Sequence, residues 1–501
     1  MAAILGSSLG FIGTSIVNVA LPTFQTELGA DATDIQWVVS AYNLAIASLL
    51  LSAGAFSDRH GYRTIFRLGL QIYAAASVIC AIAWEPHILI AGRALQGIGG
   101  ALLVPSGLGM VNTVYPPHAR GHAVGLWSSF SAVGAGMGPL IGGLLIAFAS
   151  WRFMFWINLP AVLFAWWLLA SERRGADEPR PTRSFDWPGA IYSVLALGLL
   201  TYAAIATAKL GSSHPVVLVL LGFAALTGVL FIRAQRRTAE PLLPLELFRS
   251  RNFSAANLVT FLAYFSIGGG FYIMMLTWIQ IQGYSPLAAG TITLPFMLFG
   301  AGFAHSVGNL VRRIGPKIPL STGVMLLGLG FLGFAVPEIG TPFWYGYLPG
   351  VLLTAAGIAL LVAPVTTVVM GSVDPGQSGI ASGINSAVAR GAILLSVAVL
   401  GAIHFAQFER AASARLDELK LDPEIRSQMQ QQLINMAAAE IPPEADAPTT
   451  QALREIIAGS FLYGARVVML ISGALSILGA FIAFVYIDRP QRDSPFGSGV
   501  P

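Results

Sequence analysis

The stretch "GAGMGPLIGG" runs from Gly134 to Gly143. It lies within an apolar run over 121–148, long enough for a helix to cross the ~30 Å hydrocarbon core, which needs about 20 residues. Gly134, Gly138 and Gly142 recur every four residues and present one flat helical face for close packing against a neighbouring helix. Pro139 removes an intrahelical hydrogen bond and bends the helix. A dinucleotide-loop reading of G-x-G fails, because no strand precedes it and it falls in mid-span.

The rest of the chain agrees with a membrane setting. Of 501 residues, 55% are hydrophobic and only 10% charged, too few to coat a soluble protein of this length. The net charge of +4 is too small to suggest a nucleic-acid partner. One cysteine, Cys80, excludes a disulfide framework. The chain begins on an apolar segment with no basic n-region, so it does not read as a cleavable signal. An upstream start would lengthen the first span.

A 20-residue window predicts fourteen spans, at 2–22, 35–56, 64–84, 86–112, 121–148, 153–170, 188–208, 215–233, 253–282, 287–309, 318–336, 344–370, 376–405 and 460–487. Period-2 alternation is absent, so the fold class is an all-α polytopic membrane protein and not a β-barrel. The loops at one end carry Arg59, Arg63, Arg67, Arg120, Arg173, Arg174, Arg180, Arg183, Arg233, Arg236, Arg237, Arg249, Arg251, Arg312, Arg313 and Lys317, and the tail adds Arg489 and Arg492. The short loops at the other end carry Arg152 and Lys209. The positive-inside rule therefore predicts cytoplasmic termini. The long loop 406–458, with nine acidic and five basic residues, is expected as a helical excursion outside, broken at "IPPEADAPTT".

The chain also repeats itself. "GAFSDRHGYR" from Gly54 and "GNLVRRIGPK" from Gly308 share glycines seven apart, and "GALLVPSG" from Gly100 resembles "IALLVAPV" from Ile358. Offsets of 254 and 258 imply two six-span halves, 1–170 and 253–488, separated by an inserted pair within 171–252 and followed by a tail, 489–501. Parallel repeats of this kind build secondary transporters with a substrate site between the halves.

Several motifs resemble those of the major facilitator superfamily. Gly54, Asp58, Arg59, Gly61 and Arg63 resemble its loop 2–3 signature, from which Phe56 and Tyr62 depart. The resemblance implies a gating role for that loop. "GAGMGPLIGG" resembles its span-five antiporter signature. "LIAGRALQGIGG", Leu89–Gly100, resembles its span-four signature at Arg93, Gln96, Gly97 and Gly99. "SIVNVALP", "QWVVSAYNLA", "WRFMFWINLP" and "FDWPG" resemble segments of the fourteen-span drug:proton antiporters, which implies a 6+2+6 layout and export of amphipathic compounds in exchange for protons. The localisation implied is the bacterial cell (inner) membrane. The only cofactor implied is the proton gradient, and the expected state is a monomer.

One departure stands out. Gly13 occupies the place where that family carries an acid in span one. No other carboxylate lies well inside a span, and the buried charges are Arg93, Arg390 and Arg466, all positive. Coupling candidates are therefore Arg93, Gln96, Asp34 at the outer end of span two, and His305, the last also readable as a packed core histidine. Arg93 needs a neutralising partner from Gln96, Asn18, helix-end carbonyls, cavity water, Asp34 or an anionic ligand. A wet Arg93 would weigh against a purely cationic substrate. Asn18, Gln36, Trp37, Tyr42, Trp127, Tyr264, Tyr272 and Asn385 are the candidate cavity lining, although each aromatic could equally be core or lipid-facing. His118 and His122 lack a third ligand, so no metal site is read. The alternative within transporters is a dedicated metabolite or lipid exporter that is not proton-coupled. No nucleophile constellation or phosphate loop points to an enzyme.

Overall fold

Long apolar runs punctuated by Gly and Pro form helices, and the computed structural model has only helices and turns among its described residues, 1–115, 117–171, 186–211, 213–374, 377–419 and 421–488. In chain order these are α1 (Ala2–Ser15), α2 (Leu21–Leu28), α3 (Ala32–His60), α4 (Tyr62–Ala81), α5 (Pro86–Val114), α6 (Pro117–Phe148), α7 (Phe153–Trp156), α8 (Asn158–Ser171), α9 (Trp187–Leu210) and α10 (Pro215–Arg237). They continue as α11 (Arg251–Leu276), α12 (Pro286–Ile292), α13 (Leu294–Ile314), α14 (Lys317–Phe334), α15 (Phe343–Gly346), α16 (Leu348–Gly371), α17 (Ser378–Glu418), α18 (Pro423–Gln432) and α19 (Ala447–Tyr486). The expected basic positions Arg173, Arg174, Arg180, Arg183, Arg489 and Arg492, and the tail 489–501, lie outside the described residues. So do the side chains of Arg120, His118, His122, Lys209 and His305.

Twelve stretches among the described residues are long and apolar enough to cross a membrane. The sequence spans 121–148 and 287–309 correspond to α6 and to α12 with α13. In the second, α12 ends at Thr293, whose N–H turns back to Gly290 O, and Pro295 opens the next helix. Other ends differ from expectation as well. Span one continues through a 3-10 turn, Ile16–Ala20, to Leu28. Span 376–405 runs on as a single helix of 41 residues, about 60 Å at 1.5 Å per residue, twice the hydrocarbon thickness. Nothing breaks "FERAASARLDE", and alanine, arginine and glutamate favour helix. The loop 406–458 is thus largely the protruding ends of α17 and α19 with α18 between them. "PPEAD" is the break, and Asp446 caps α19 by accepting from Thr449 N.

The internal repeat is visible in the packing. Gly61 (φ +89°) and Gly315 (φ +80°) end α3 and α13 in a left-handed conformation that favours glycine. A Cβ on Gly69 would meet Leu102 and Gly99 O, and one on Gly323 would meet Leu360 and Gly357 O. These two layers sit at offsets of 254 and 258, so α4 lies on α5 as α14 lies on α16. The charged layer is not repeated: at those offsets Arg93, Gln96 and Ser77 become Val351, Thr354 and Phe331, all buried.

Within the first bundle α3 and α4 pack on α5, and α1 packs on α5, α6 and α8. Within the second, α14 packs on α16 and α19, and α11 on α17 and α19. The bundles meet where α3 lies on α17 and where α6 lies on α12 and α13. Helix α9 packs on α10, α3 and α17, so the inserted pair sits beside that seam.

Candidate functional site

Arg93 is enclosed, with 1% of its surface exposed. Its Nε donates to Val38 O (3.2 Å), Nη1 to Gln96 Oε1 (2.5 Å) and Nη2 to Gly13 O (2.8 Å), and its guanidinium lies 4.0 Å from the Tyr42 ring centre. Gly13 is in the last turn of α1, where α-helical pairing gives way to the 3-10 turn. Carbonyls at such an end lack partners and carry partial negative charge. Gln96 Nε2 donates to Ser77 Oγ (2.9 Å), which also receives Asn158 Nδ2 (3.2 Å). One network therefore ties α1, α3, α4, α5 and α8 together. Two expected partners, Gln96 and a helix-end carbonyl, accept hydrogen bonds from Arg93 together with Val38 O, without a counter-charge among the described residues. Asn18 and Asp34 do not bond to it, and the wet-cavity reading of Arg93 gives way to a sealed one.

The space at Gly13 is taken. A Cβ there would stand 2.6 Å from Tyr73 Oη and 2.9 Å from Tyr42 Oη. Those hydroxyls donate to Leu9 O (2.8 Å) and Gly10 O (2.6 Å) of α1. Two neutral hydroxyls thus fill the volume that an acid would use, and Tyr42 belongs to the Arg93 cluster instead of lining a cavity.

Asp34 is occupied elsewhere. It forms a capping box at the start of α3, accepting from Asp31 N (3.1 Å) while Asp31 accepts from Asp34 N (2.8 Å). The D-A-T-D spacing carries that signal. In the loop signature, Tyr62 Oη donates to Asp58 Oδ1, so a departing residue occupies the signature acid. Arg63 Nη2 donates to Leu169 O (3.1 Å) at the end of α8, while Arg59 is exposed. Gly54 lies 3.8 Å, by its would-be Cβ, from Pro105. His305 lies in α13.

The glycine motif serves two partners. Cβ atoms on Gly134, Gly138 and Gly142 would meet Ile12, Ser15 and Ile16 of span one. One on Gly143 would stand 2.5 Å from Pro286 O, and one on Gly136 3.0 Å from Met297 Cβ, both in the second bundle. Gly290 reciprocally abuts Pro139 O. The bundles therefore touch backbone to backbone at the end away from the basic loops. That end is also bridged by hydrogen bonds from Gln280 Nε2 to Gln25 Oε1 (2.6 Å) and from Gln25 Nε2 to Asn435 O (3.5 Å). Toward the basic loops, Gly308 and Gly379 face open space.

Between the bundles at mid-depth, Arg390 of α17 donates to Thr14 Oγ1 of α1 (3.0 Å) and covers the Phe11 ring at 4.7 Å. Phe11 meets Trp127 edge-on at 6.3 Å. Tyr264 lies within electrostatic reach of Arg390, and Asn385 Nδ2 donates to Asn257 Oδ1 (3.2 Å) and Thr260 Oγ1 (2.8 Å). Trp37 instead faces Tyr202 of α9 at 5.8 Å. Tyr272 is core, Gln36 is wedged against Gly401, and Asn18 is half-buried. Arg466 is at the rim, paired with Glu338 (3.0 Å). Buried His404, whose Nε2 is 3.2 Å from Phe461 O, carries no motif that marks it in the sequence.

Residues 3–397 match the family described as Major Facilitator Superfamily. The chain is 31% identical to the multidrug resistance protein Stp of Mycobacterium tuberculosis, over 86% of this chain and 80% of that protein. It is 29% identical to the tetracenomycin C resistance and export protein of Streptomyces glaucescens, over 100% and 94%. Its fold resembles the crystal structure of a bacterial homologue of the human lysosomal transporter Spinster, in an inward-facing, occupied conformation. The TM-score is 0.62 at 16% identity, covering 97% of this chain and 95% of that one. The family and the fold are those of transporters, and the chain is a multi-pass protein of the bacterial inner-membrane type.

Proposed function

The chain belongs to the Major Facilitator Superfamily, and we propose that it is a secondary transporter that exports small amphipathic compounds by alternating access. The observation that carries this is a match over the full chain to a resistance and export protein. We propose fourteen spans as 6+2+6, with α6 and α12–α13 supplying the two beyond the twelve, cytoplasmic termini, and function as a monomer. On that orientation the glycine seam closes the outer face and the basic-loop face is open, an inward-facing state. Gly134, Gly138, Pro139 and Gly142 let span five slide on span one, and Gly54, Asp58, Arg59, Gly61 and Arg63 form the inner gate.

Exchange against protons is the proposed drive, with the Arg93–Gln96–Ser77 network as the element that responds to it. A second reading, a carrier without proton coupling, is favoured by the filled space at Gly13. Inside-out membrane vesicles with an imposed pH gradient test both. Uptake of amphipathic compounds that stops when the gradient collapses supports antiport, and uptake indifferent to collapse selects the uncoupled carrier. No uptake across cationic, neutral and anionic compounds refutes export.

A further inference from the structure

The described carboxylates at the span ends lie at edges, and four of them have partners there. Asp34 caps α3, Asp58 accepts from Tyr62, Glu27 accepts from Trp151 Nε1 (2.8 Å), and Glu338 pairs with Arg466. Among the described residues the one buried carboxylate is Asp186, which caps α9 at its mouth and accepts from Gln235. Arg93 is satisfied by chain groups. Arg390 is not: it is 9% exposed, and its one hydrogen-bond acceptor among the described residues is the neutral Thr14 hydroxyl. A guanidinium has five N–H donors in a fixed fork that matches a planar carboxylate. A cation held in a span without a counter-charge is costly and marks a ligand pathway. Its guanidinium covers the Phe11 ring, which in turn meets Trp127, and Tyr264 of the other bundle lies within its electrostatic reach.

We propose that Arg390 is the anion-recognising group of the substrate site, and that the exported compounds are amphipathic aromatic monoanions, carboxylates foremost. This rests on the export reading above. The ligand's charged group bonds Arg390 while its apolar part lies on the Phe11–Trp127 wall, and because Arg390 and Thr14 come from opposite bundles, the ligand senses their relative position. Outward movement of an anion is also assisted by an inside-negative membrane potential, with no acid needed in the protein.

The test uses three coumarins of matched size: coumarin-3-carboxylate, its ethyl ester and a trimethylammonium analogue. Their binding to the purified full chain in neutral detergent is followed by fluorescence anisotropy, so transport is not required. The carboxylate is expected to bind best. Arg390→Gln should weaken it roughly 10- to 100-fold, the scale of a charge-assisted hydrogen-bonded pair, and leave the ester unchanged. Arg390→Lys should recover part of the loss. Thr14→Val, which keeps the charge, should retain the preference for the carboxylate and guards against a misfolded Arg390→Gln. Preference for the cation, equal loss of ester and carboxylate in Arg390→Gln, or no binding of any of the three overturns the proposal. Anion-selective binding without vesicle uptake would refute export alone.

Discussion

Replacing Arg93 by methionine and Gln96 by leucine should have unequal effects, although the two residues share one hydrogen bond. Gln96→Leu leaves a guanidinium, 1% exposed, without its closest acceptor at 2.5 Å, and also strips Ser77 of a donor. A hydrogen bond to a charged group contributes ~1.5–3 kcal/mol, and its loss in a sealed site is felt in full. Arg93→Met removes the charge itself, so the desolvation penalty disappears along with the attraction, and such exchanges are often neutral or stabilising. Val38 O lies inside α3 and keeps its intrahelical partner. The double variant should therefore recover ~1.5–3 kcal/mol relative to Gln96→Leu alone. Unfolding of the detergent-solubilised protein, by heat or denaturant, measures the cycle. Vesicle uptake should fall for both single variants if the network responds to the drive. If Arg93→Met unfolds more easily than Gln96→Leu, or the double variant shows no recovery, the account of Arg93 as a hydrogen-bonded but costly charge is wrong.

Three further outcomes are expected. Gly143→Val and Gly290→Val place side chains against the backbone of the opposite bundle; they should lower uptake about tenfold or more, the scale of an angstrom-level misfit, whereas Gly391→Ala, which faces open space, should not. Gly13→Asp with Tyr73→Phe, which frees the space held by one hydroxyl, should make uptake more dependent on a pH gradient, and a profile identical to the parent's would contradict the reading of Gly13 as an acid's vacated place. At the protruding end of α19, hydrogen bonds from Thr449 hold the Asp446 carboxyl below its usual range. The unfolded value is about 3.9, so the cap's contribution is present above that pH and is lost as pH falls through the lower folded value. The protection of the Thr449 and Thr450 amides against exchange, relative to their intrinsic rates at the same pH, should fall in acid, and already at neutral pH in Asp446→Ala.

That the chain is built of many membrane-spanning helices is legible because spans depend on length and polarity, which the chain displays directly. The partners of Arg93 were legible as a set of alternatives. Choosing among them required knowing that α1 turns into a 3-10 segment at Ile16 and so presents Gly13 O. An acid near a span end reads alike as a proton carrier or a cap, and the structure shows Asp34 in a capping box with Asp31. Tyr42 and Tyr272 are buried, and an aromatic residue looks the same in sequence whether it lines a wall or fills a core. Arg390 could be noted as a buried charge, but its place opposite Thr14 is a tertiary fact, 376 residues apart in the chain. The helical excursion after span 376–405 is legible in its composition, but not that it continues α17 without a break, because polarity ends a membrane window without ending a helix.

The most direct test of alternating access is a pair of distances across the two bundles. Spin labels at one end would join the start of α3 to the protruding part of α17, and at the other the end of α5 to the end of α16. Adding an exported compound should lengthen the first distance and shorten the second, because the Gly143–Pro286 seam must part when the basic-loop face closes. Distances that change in the same direction, or remain fixed while transport proceeds, would contradict the account.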